Sequence, residues 1–371
     1  MLANGLGKLL RAEAPNHDRV VDLFCGAGSV AWFVGQNCPK PVLAIDLQSY
    51  AVILAGAVIQ RTSAIDRAPL EADWIRSTKI RRESMPQWEA ALALDTSDLK
   101  TFTWCRRARS LCAGTQQSGV IWGAYGGHYF SPTQAVTFDA MLEALPPNEP
   151  ARTVCLAAII MAASQCAAAP GHTAQPFQPT RSAAKYLSEA WRRDPTLYAA
   201  KAMANLCPLH ASVLGSSRTG DALNVARSLR SGDLVFVDPP YSDVHYSRFY
   251  HVLETLARGG CGKVTGAGRY PPISERPLSK FSRRSESCDA ARKLLNSLAD
   301  NRCTVIFTFP ARKCSNGLGG NDVLEMATGR FRVEEKRVTT RFSTLGGNND
   351  HRAARRPSRE LILLLRPKGC G

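Results

Sequence analysis

The stretch LVFVDPPY, from Leu234 to Tyr241, joins a continuous apolar run to an acid, two prolines and a tyrosine. Buried strands of parallel sheets read as continuous apolar runs, and ligands of doubly wound α/β sheets bind beyond the carboxyl ends of such strands. The stretch therefore predicts a buried strand that ends at Asp238, on the ligand-binding edge of an open α/β sheet.

The DPPY segment is a rigid group of hydrogen-bond acceptors. Pro239 and Pro240 fix φ at about −65° and have no backbone N–H, so no local donor satisfies the Asp238 carboxylate and the nearby carbonyls. An exocyclic amine of a nucleobase, with two N–H bonds, fits such a group, and Tyr241 offers a flat ring for stacking. Because Asp-Pro-Pro also forms plain turns, the rest of the chain must decide between the two interpretations.

The composition indicates a folded protein with a polyanionic partner. The 371 residues are 44% hydrophobic and 21% charged, which excludes an intrinsically disordered chain, and the length favours two lobes. The formal net charge is +16, and residues 261–371 hold 22 Lys and Arg against 10 Asp and Glu, which is +12 of that total. This charge favours nucleic acid over a membrane as the partner, although basic residues also form ordinary solvated faces.

The cysteines and the hydropathy pattern favour a cytoplasmic protein. The twelve cysteines are scattered, and no two stand at Cys-x-x-Cys spacing, so we expect reduced thiols and no structural metal. The sequence has no amino-terminal apolar segment and no apolar run approaching about 18 residues, so we expect neither secretion nor a membrane span.

A glycine loop follows the first predicted strand, in RVVDLFCGAGSVAWFVG, residues 19–35. The strand covers Val20–Phe24, Gly26 and Gly28 follow, and a helix begins near Ser29. Glycines in this context let a ligand approach the backbone, and the helix N-terminus directs N–H donors at an anionic group. A tight strand-to-helix turn without a ligand is the alternative interpretation.

The second predicted strand, Pro41–Ile45, ends in Asp46, which lies 20 residues beyond Gly26. An acid at this position accepts hydrogen bonds from ribose hydroxyls in dinucleotide-binding folds. The third glycine of the dinucleotide pattern is missing, so a mononucleoside ligand fits better than a dinucleotide. The apolar helix from Tyr50 to Gln60 is expected to cover the sheet.

From about Asp66 to His210 the alternation of strands and helices stops, which predicts a mostly helical inserted lobe. Ser131-Pro132 forms an N-cap and N1 pair for one of its helices. Two polar loops, at residues 125–130 and 170–180, contain the residues that we expect to contact the target: His128, Tyr129 and Gln175.

The alternation resumes with a strand that ends at Asp221, and the strand that ends in DPPY follows it. A helix from about His245 to Arg258 and a long mobile loop at 260–290 come next. Three further strands follow, which predicts an α/β doubly wound sheet of about seven strands. We predict three parts of the chain: 1–65 and 211–371 form the two halves of the sheet domain, and 66–210 forms the inserted lobe.

Between the last two strands, residues 342–359 form a basic arm for phosphate binding, and its candidate residues are Arg352, Arg355, Arg356 and Arg359.

The order of these motifs resembles the S-adenosylmethionine-dependent DNA methyltransferases that modify the 6-amino group of adenine, in the Dam-like alpha group. The resemblance rests on DLFCGAG (residues 22–28), Asp46, Asp221 and DPPY, and it covers most of residues 5–60 and 215–365. It implies a Rossmann-like cofactor domain interrupted by a target-recognition lobe, with S-adenosylmethionine as cofactor, duplex DNA as partner and association with the nucleoid when bound. The oligomeric state and a restriction or defence-system partner are left open.

The resemblance also implies roles for individual residues. Asp238, Pro239, Pro240 and Tyr241 form the catalytic motif. The cofactor-binding set comprises Lys8 at the cofactor carboxylate, Asp22 in the glycine-loop motif, Phe24, Gly26 and Gly28 at the methionine part, Asp46 at the ribose and Asp221 at the adenine. Two alternatives stay open at this point: an enzyme that methylates adenine in RNA, and a cofactor-binding DNA-binding subunit without activity.

Overall fold

The computed structural model describes residues 2–113, 119–342 and 356–368, and these residues form seven strands and a larger number of helices. The strands are β1 Arg19–Asp22, β2 Val42–Asp46, β3 Ser216–Thr219, β4 Asp233–Val237, β5 Thr304–Pro310, β6 Phe331–Phe342 and β7 Arg356–Pro367. The helices are α1 Leu6–Glu13, α2 Ser29–Asn37, α3 Ser49–Ile59, α4 Arg67–Ser84, α5 Trp88–Asp95, α6 Thr101–Ala113, α7 Val120–Tyr125, α8 Pro132–Glu143, α9 Ala151–Cys166, α10 Ala184–Trp191, α11 Pro195–Leu206, α12 Ala222–Ala226, α13 Tyr246–Phe249, α14 His251–Arg258, α15 Ser287–Asp300 and α16 Gly320–Thr328.

All seven strands form one sheet in the order β3-β2-β1-β4-β5-β7-β6. Strands β1 to β5 pair in parallel, and β7 runs antiparallel between β5 and β6. From β1, the chain adds β2 and β3 on one side of the sheet and the later strands, beginning with β4, on the other side. The predicted α/β class and seven-stranded Rossmann-like sheet are confirmed.

The central strands are buried on both faces, as their continuous apolar sequences predict. Val235 and Val237 of β4 pack with α12, α15 and α16 in one hydrophobic cluster. Leu234 and Phe236 alternate with them and are also buried, so they face the opposite side of the sheet. Because β1 and β4 pair in register, with Asp22 opposite Phe236, their carboxyl ends meet at one edge.

The chain divides into two compact units. The first comprises Met1–Ser63, His210–Tyr246 and Pro277–Gly371, and it contains the sheet. The second comprises Ala64–Leu209 and Ser247–Arg276 and is mainly helical. None of the helices in the described ranges is long and apolar enough to cross a membrane.

Local sequence explains the helix starts in the second unit. The Ser131 hydroxyl accepts a hydrogen bond from the Gln134 backbone N–H, and the Gln134 side chain accepts one from the Ser131 N–H, which forms a capping box at α8. The predicted N-cap at Ser131 is therefore confirmed. Asp194 is the N-cap of α11, where its carboxylate accepts a 2.8 Å hydrogen bond from the Thr196 N–H.

The segment after DPPY differs from the sequence-based expectation. The predicted helix from about His245 to Arg258 is interrupted at Tyr250, between α13 and α14. The Phe249 carbonyl accepts bonds of 2.7 Å from both the backbone N–H and the hydroxyl of Thr173, so it is not used in a continuous helix. Within the predicted mobile loop, Thr265 and Tyr270 form a β-bridge.

Candidate active site

Three acids lie at the carboxyl ends of neighbouring parallel strands. Asp22 ends β1, Asp46 ends β2, and Asp238 directly follows β4. Burial, with smaller contributions from the charges of Asp238 and Asp46, raises the pKa of Asp22 to about 8, although the hydrogen bond from the Phe24 N–H opposes the rise. We call these three residues the acidic edge. An edge of this kind favours a cationic ligand, because a positive charge there offsets the cost of keeping the carboxylates ionised.

Asp46 organises the glycine loop. Its Oδ2 accepts a 3.0 Å hydrogen bond from the Gly26 N–H, and its Oδ1 accepts a 3.0 Å bond from the Gln48 N–H. Gly26 has a φ of 49°, and a Cβ placed on it would approach only the Phe24 carbonyl, at 4.0 Å. The loop therefore leaves space beside Gly26 in which a ligand can approach the backbone.

Gly28, in contrast to Gly26, lies where two helices pack closely. Its φ is 81°, and a Cβ there would lie 2.9 Å from the Trp32 ring nitrogen and 3.1 Å from the Ala55 Cα. This glycine permits the close approach of α2 and α3. The structure thus gives Gly28 a packing function, whereas Gly26 borders open space.

The Asp238 carboxylate is held from the neighbouring strand. The Thr308 hydroxyl, on β5, donates a 2.8 Å hydrogen bond to Asp238 Oδ1. Burial and the charge of the buried Glu360 raise the pKa of Asp238, the Thr308 bond lowers it, and the net result is a pKa of about 6. Asp238 is therefore mostly ionised at neutral pH, with its position fixed by Thr308.

The two proline carbonyls of DPPY have different surroundings. The Asn316 amide donates 2.9 Å hydrogen bonds to the Pro240 carbonyl and to the Phe281 carbonyl, and the Asn316 side chain is fully buried. The Pro239 carbonyl accepts no hydrogen bond from any residue that the structure describes. The acceptor pair that remains consists of the Asp238 carboxylate and the Pro239 carbonyl.

Two aromatic residues flank this edge. Tyr241 and Phe24 are half-buried and pack against the hydrophobic cluster of the sheet. The Phe24 ring meets Phe281 edge to face, with centroids 5.1 Å apart and planes at 84°. Phe281 thus supports Phe24 with its ring and Pro240 through Asn316, which links the glycine loop to the DPPY segment.

Asp221 lies close to the acidic edge, whereas Lys8 has no hydrogen bond that connects it to that edge in the described residues. Asp221 is the N-cap of α12, where its Oδ1 accepts bonds from the N–H groups of Leu223 at 2.9 Å and Asn224 at 3.2 Å. The preceding Gly220 donates a 2.8 Å backbone bond to the Asp46 carbonyl, so Asp221 lies beside that strand end. Lys8 is exposed on α1, without a hydrogen bond to the described part of the glycine loop.

The predicted target-contact residues of the second unit lie in contrasting environments. Tyr129 is fully buried, and its single O–H is shared between the carbonyls of Thr173, at 2.6 Å, and Gly268, at 2.9 Å. His128 is half-buried, and burial lowers its pKa to about 3, so it is neutral at pH 7. Gln175 is exposed. The buried position of Tyr129 favours a structural role, and Gln175 is the residue of the three with a free surface.

Most of the predicted basic arm lies outside the described residues. This applies to Arg352, Arg355 and the side chain of Arg356. Arg359 is described and is exposed on β7, opposite Thr339 of β6.

Sequence reasoning missed Thr308 and Asn316. A hydroxyl within the apolar run of β5, next to the strand that carries DPPY, is a signal that could have identified Thr308. Asn316 lies in a polar loop among glycines, where its sequence context does not distinguish it from a turn residue.

The model of the D12 class N6 adenine-specific DNA methyltransferase family matches residues 2–84 and 215–307. The two matched segments contain the glycine loop, all three acids of the acidic edge, and the DPPY motif. A search of curated proteins found no significant match. This match confirms the predicted resemblance to the adenine-specific DNA methyltransferases over these two segments.

Proposed function

We propose that this protein transfers a methyl group from S-adenosylmethionine to the 6-amino group of an adenine in duplex DNA, with the base turned out of the helix. The observation that carries the proposal is the acceptor pair at the acidic edge, formed by the Asp238 carboxylate and the Pro239 carbonyl. The Thr308 bond to Asp238 and the Asn316 bond to Pro240 support it, because they fix the pair in position.

The acceptor pair suits the chemistry of an aromatic amine. The lone pair of such an amine is delocalised into the ring, which makes the nitrogen a poor nucleophile. Asp238 and the Pro239 carbonyl would accept its two N–H bonds, favour a pyramidal nitrogen and direct the lone pair at the methyl group. Asp238 acts here as an ionised acceptor, in keeping with its pKa of about 6, and no separate general base is needed before attack.

The residues at the edge suit a cationic nucleoside cofactor. S-adenosylmethionine, when bound, supplies a methyl group that its sulfonium activates for transfer. The carboxylates of Asp46 and Asp238 match that positive charge, and Gly26 leaves room for close approach. We assign the methionine part to Phe24 and Gly26, the ribose to Asp46 and the adenine to Asp221; Lys8 is the candidate for the carboxylate.

An adenine must leave the base stack to reach this acceptor pair, which costs a few kcal/mol. Tyr241 directly follows the prolines, and a stacking contact with its ring would recover about 1–3 kcal/mol. The basic arm, represented in the structure by Arg359, is the candidate surface for the DNA phosphates.

The test uses methyl-labelled S-adenosylmethionine with duplex DNA, single-stranded DNA and RNA as separate acceptors. We expect label in the adenines of duplex DNA. Asp238→Ala should reduce transfer at least about 100-fold, because it removes a transition-state acceptor, and should leave cofactor affinity within a few-fold. Asp18→Ala is the matched control, since Asp18 is an exposed acid at the amino end of β1.

If label is transferred to RNA alone, the substrate is RNA and the proposal of a DNA substrate is wrong. Wild-type protein that binds the cofactor but transfers nothing to any acceptor would favour a non-catalytic subunit. Full transfer by Asp238→Ala would remove the assignment of the acceptor pair.

A further inference from the structure

Helix α6 of the second unit has two chemically distinct faces. Trp104, Cys105 and Ala108 are buried, whereas Phe102 and Arg106 are exposed, with 64% of the Phe102 surface accessible. Positions 102, 106 and 109 are spaced by four and three residues, so they share one helix face. The exposed face of α6 therefore presents an aromatic ring and guanidinium groups together.

The exposed face of α6 is held in place by its buried face. The Trp104 ring meets Trp191 edge to face at 5.0 Å, and its N–H donates a 2.7 Å hydrogen bond to Asp95. The other Asp95 oxygen accepts bonds from the Thr133 N–H at 2.8 Å and hydroxyl at 2.6 Å. These contacts hold the buried side of α6 against the second unit and leave Phe102 and Arg106 on its exposed side.

Arg109 joins α6 to the two polar loops singled out in the sequence. Its Nε donates a 3.1 Å hydrogen bond to the Gly127 carbonyl, and its Nη2 donates a 3.3 Å bond to the Gln178 side chain. Gly127 has a φ of 69°, and a Cβ there would lie 2.7 Å from the Arg109 backbone nitrogen. Only glycine permits this approach, and the approach brings both loops to one face of α6.

An open surface pocket of about 420 Å³ lies at this face, lined by Phe102, Arg106, Arg109, Gln178, Pro179 and Thr180. Its size is within the range of roughly 300–1,000 Å³ that is typical of small-molecule sites. The lining contains two guanidinium groups, an aromatic ring, an amide and a hydroxyl, and no carboxylate. Arg106 forms no ion pair with any residue in the described ranges, so its charge is available to an external anion.

We propose that this pocket binds one nucleotide of the DNA, with its phosphate at Arg106 and its base against the ring of Phe102. Guanidinium groups pair with phosphate through a planar fork, and aromatic rings between basic residues are typical of surfaces that hold unstacked bases. Arg109, Gln178 and Thr180 supply donors and acceptors for the edge of the base. The inference rests on the proposed function, because DNA is the substrate in both.

The experiment measures the Kd of a fluorescein-labelled DNA duplex by anisotropy over a series of salt concentrations. Phe102→Ala should weaken binding about tenfold without altering the salt dependence, because stacking involves no counterion. Arg106→Ala should weaken binding and reduce the slope of log affinity against log salt by about 0.9, the value for one lost phosphate contact. Phe102→Trp should restore the affinity.

The matched controls are Ile80→Ala and Arg81→Ala on α4 of the same unit, where Ile80 is 63% exposed and Arg81 is also exposed. We expect both to bind DNA with wild-type affinity. The proposal is overturned if Phe102→Ala binds as tightly as Ile80→Ala, or if Arg106→Ala and Arg81→Ala weaken binding by the same factor, which indicates diffuse charge.

Methyl transfer in the same preparations separates the two proposals. If wild-type protein methylates DNA while Phe102→Ala and Arg106→Ala bind like the controls, the nucleotide site fails and the proposed function stands. If the variants lose affinity as expected while wild-type protein transfers no methyl group, the nucleotide site stands and the proposed function fails. A wild-type protein that does not bind DNA overturns both.

Discussion

The acidic edge of the sheet and the basic face of α6 carry opposite charges and are built in opposite ways. Asp22, Asp46 and Asp238 are fixed by strand ends, since parallel strands in register bring their carboxyl ends together. Phe102 and Arg106 are placed by the packing of α6 within the second unit, where Trp104 contacts Trp191 and Asp95. Sheet topology therefore determines where the three acids lie, whereas side-chain packing within the second unit determines where Phe102 and Arg106 lie.

The contrast can be tested first at Asp46, where we expect the largest effect. Asp46→Ala removes the acceptor for the Gly26 and Gln48 N–H groups and a proposed ribose contact. Hydrogen bonds to charged groups contribute about 1.5–3 kcal/mol, so the Kd for S-adenosylmethionine should rise about 10- to 100-fold in titration calorimetry. The DNA affinity should not change, and neither constant should change in Asp18→Ala. Unchanged cofactor affinity would place the nucleoside elsewhere.

The second test concerns the buried support of the DPPY segment. Asn316→Ala leaves the carbonyls of Pro240 and Phe281 without their donor, which should lower the free energy of unfolding by about 1–3 kcal/mol in urea denaturation. Asn224→Ala, an exposed residue of α12, is the control and should leave stability unchanged. A variant that is stable but still inactive would show that Asn316 acts on the reaction geometry instead.

The third test is the pH dependence of methyl transfer. Because Asp238 is proposed to act as a carboxylate and its pKa is about 6, the rate should fall as the pH drops through about 6. Thr308→Val removes a hydrogen bond that lowers this pKa, so the fall should move to higher pH by up to about one unit. Single-turnover rates between about pH 5 and pH 9 would measure it, with Thr308→Ser as the control that keeps the hydroxyl. Identical profiles for wild type and Thr308→Val would contradict the role of this bond.

The fourth test is DNA binding by Arg359, a basic residue of the same unit that contains the acidic edge. We expect the smallest effect here. Arg359→Ala should weaken DNA binding a few-fold at moderate salt and reduce the salt slope by about 0.9, without changing which adenine is methylated. Arg292→Ala, an exposed residue of α15, serves as the comparison. If the two variants behave alike, Arg359 is a solvated residue of a strand.

The sequence was sufficient for the sheet and for the acids at its edge. Continuous apolar runs identified β4 and β5, and the acid after each predicted strand identified Asp46 and Asp238. It was insufficient for α6, because Phe102, Arg106 and Arg109 in a charged helix look like an ordinary solvated face until the bonds of Arg109 to Gly127 and Gln178 are known.

The predicted contact at Tyr129 illustrates the same limit. A tyrosine in a glycine-rich polar loop looks exposed in sequence. Its burial depends on Thr173 and Gly268, whose carbonyls lie 44 and 139 residues away along the chain. Local sequence carries no information about partners at that separation.

The pairing of β1 with β4 has a consequence for the order in which the protein folds during synthesis. Arg19 forms bonds of 2.7 and 3.0 Å with the buried Asp233 carboxylate, which is 214 residues further along the chain. At a translation rate of about 5–20 residues per second, β4 leaves the ribosome roughly 10–40 s after β1. During that interval the edge of β1 that pairs with β4 has no partner, and Ala64–Leu209 of the second unit emerges before β4 does. Until β4 is synthesised, this edge of β1 can pair with another chain, because unpaired strand edges are templates for such pairing.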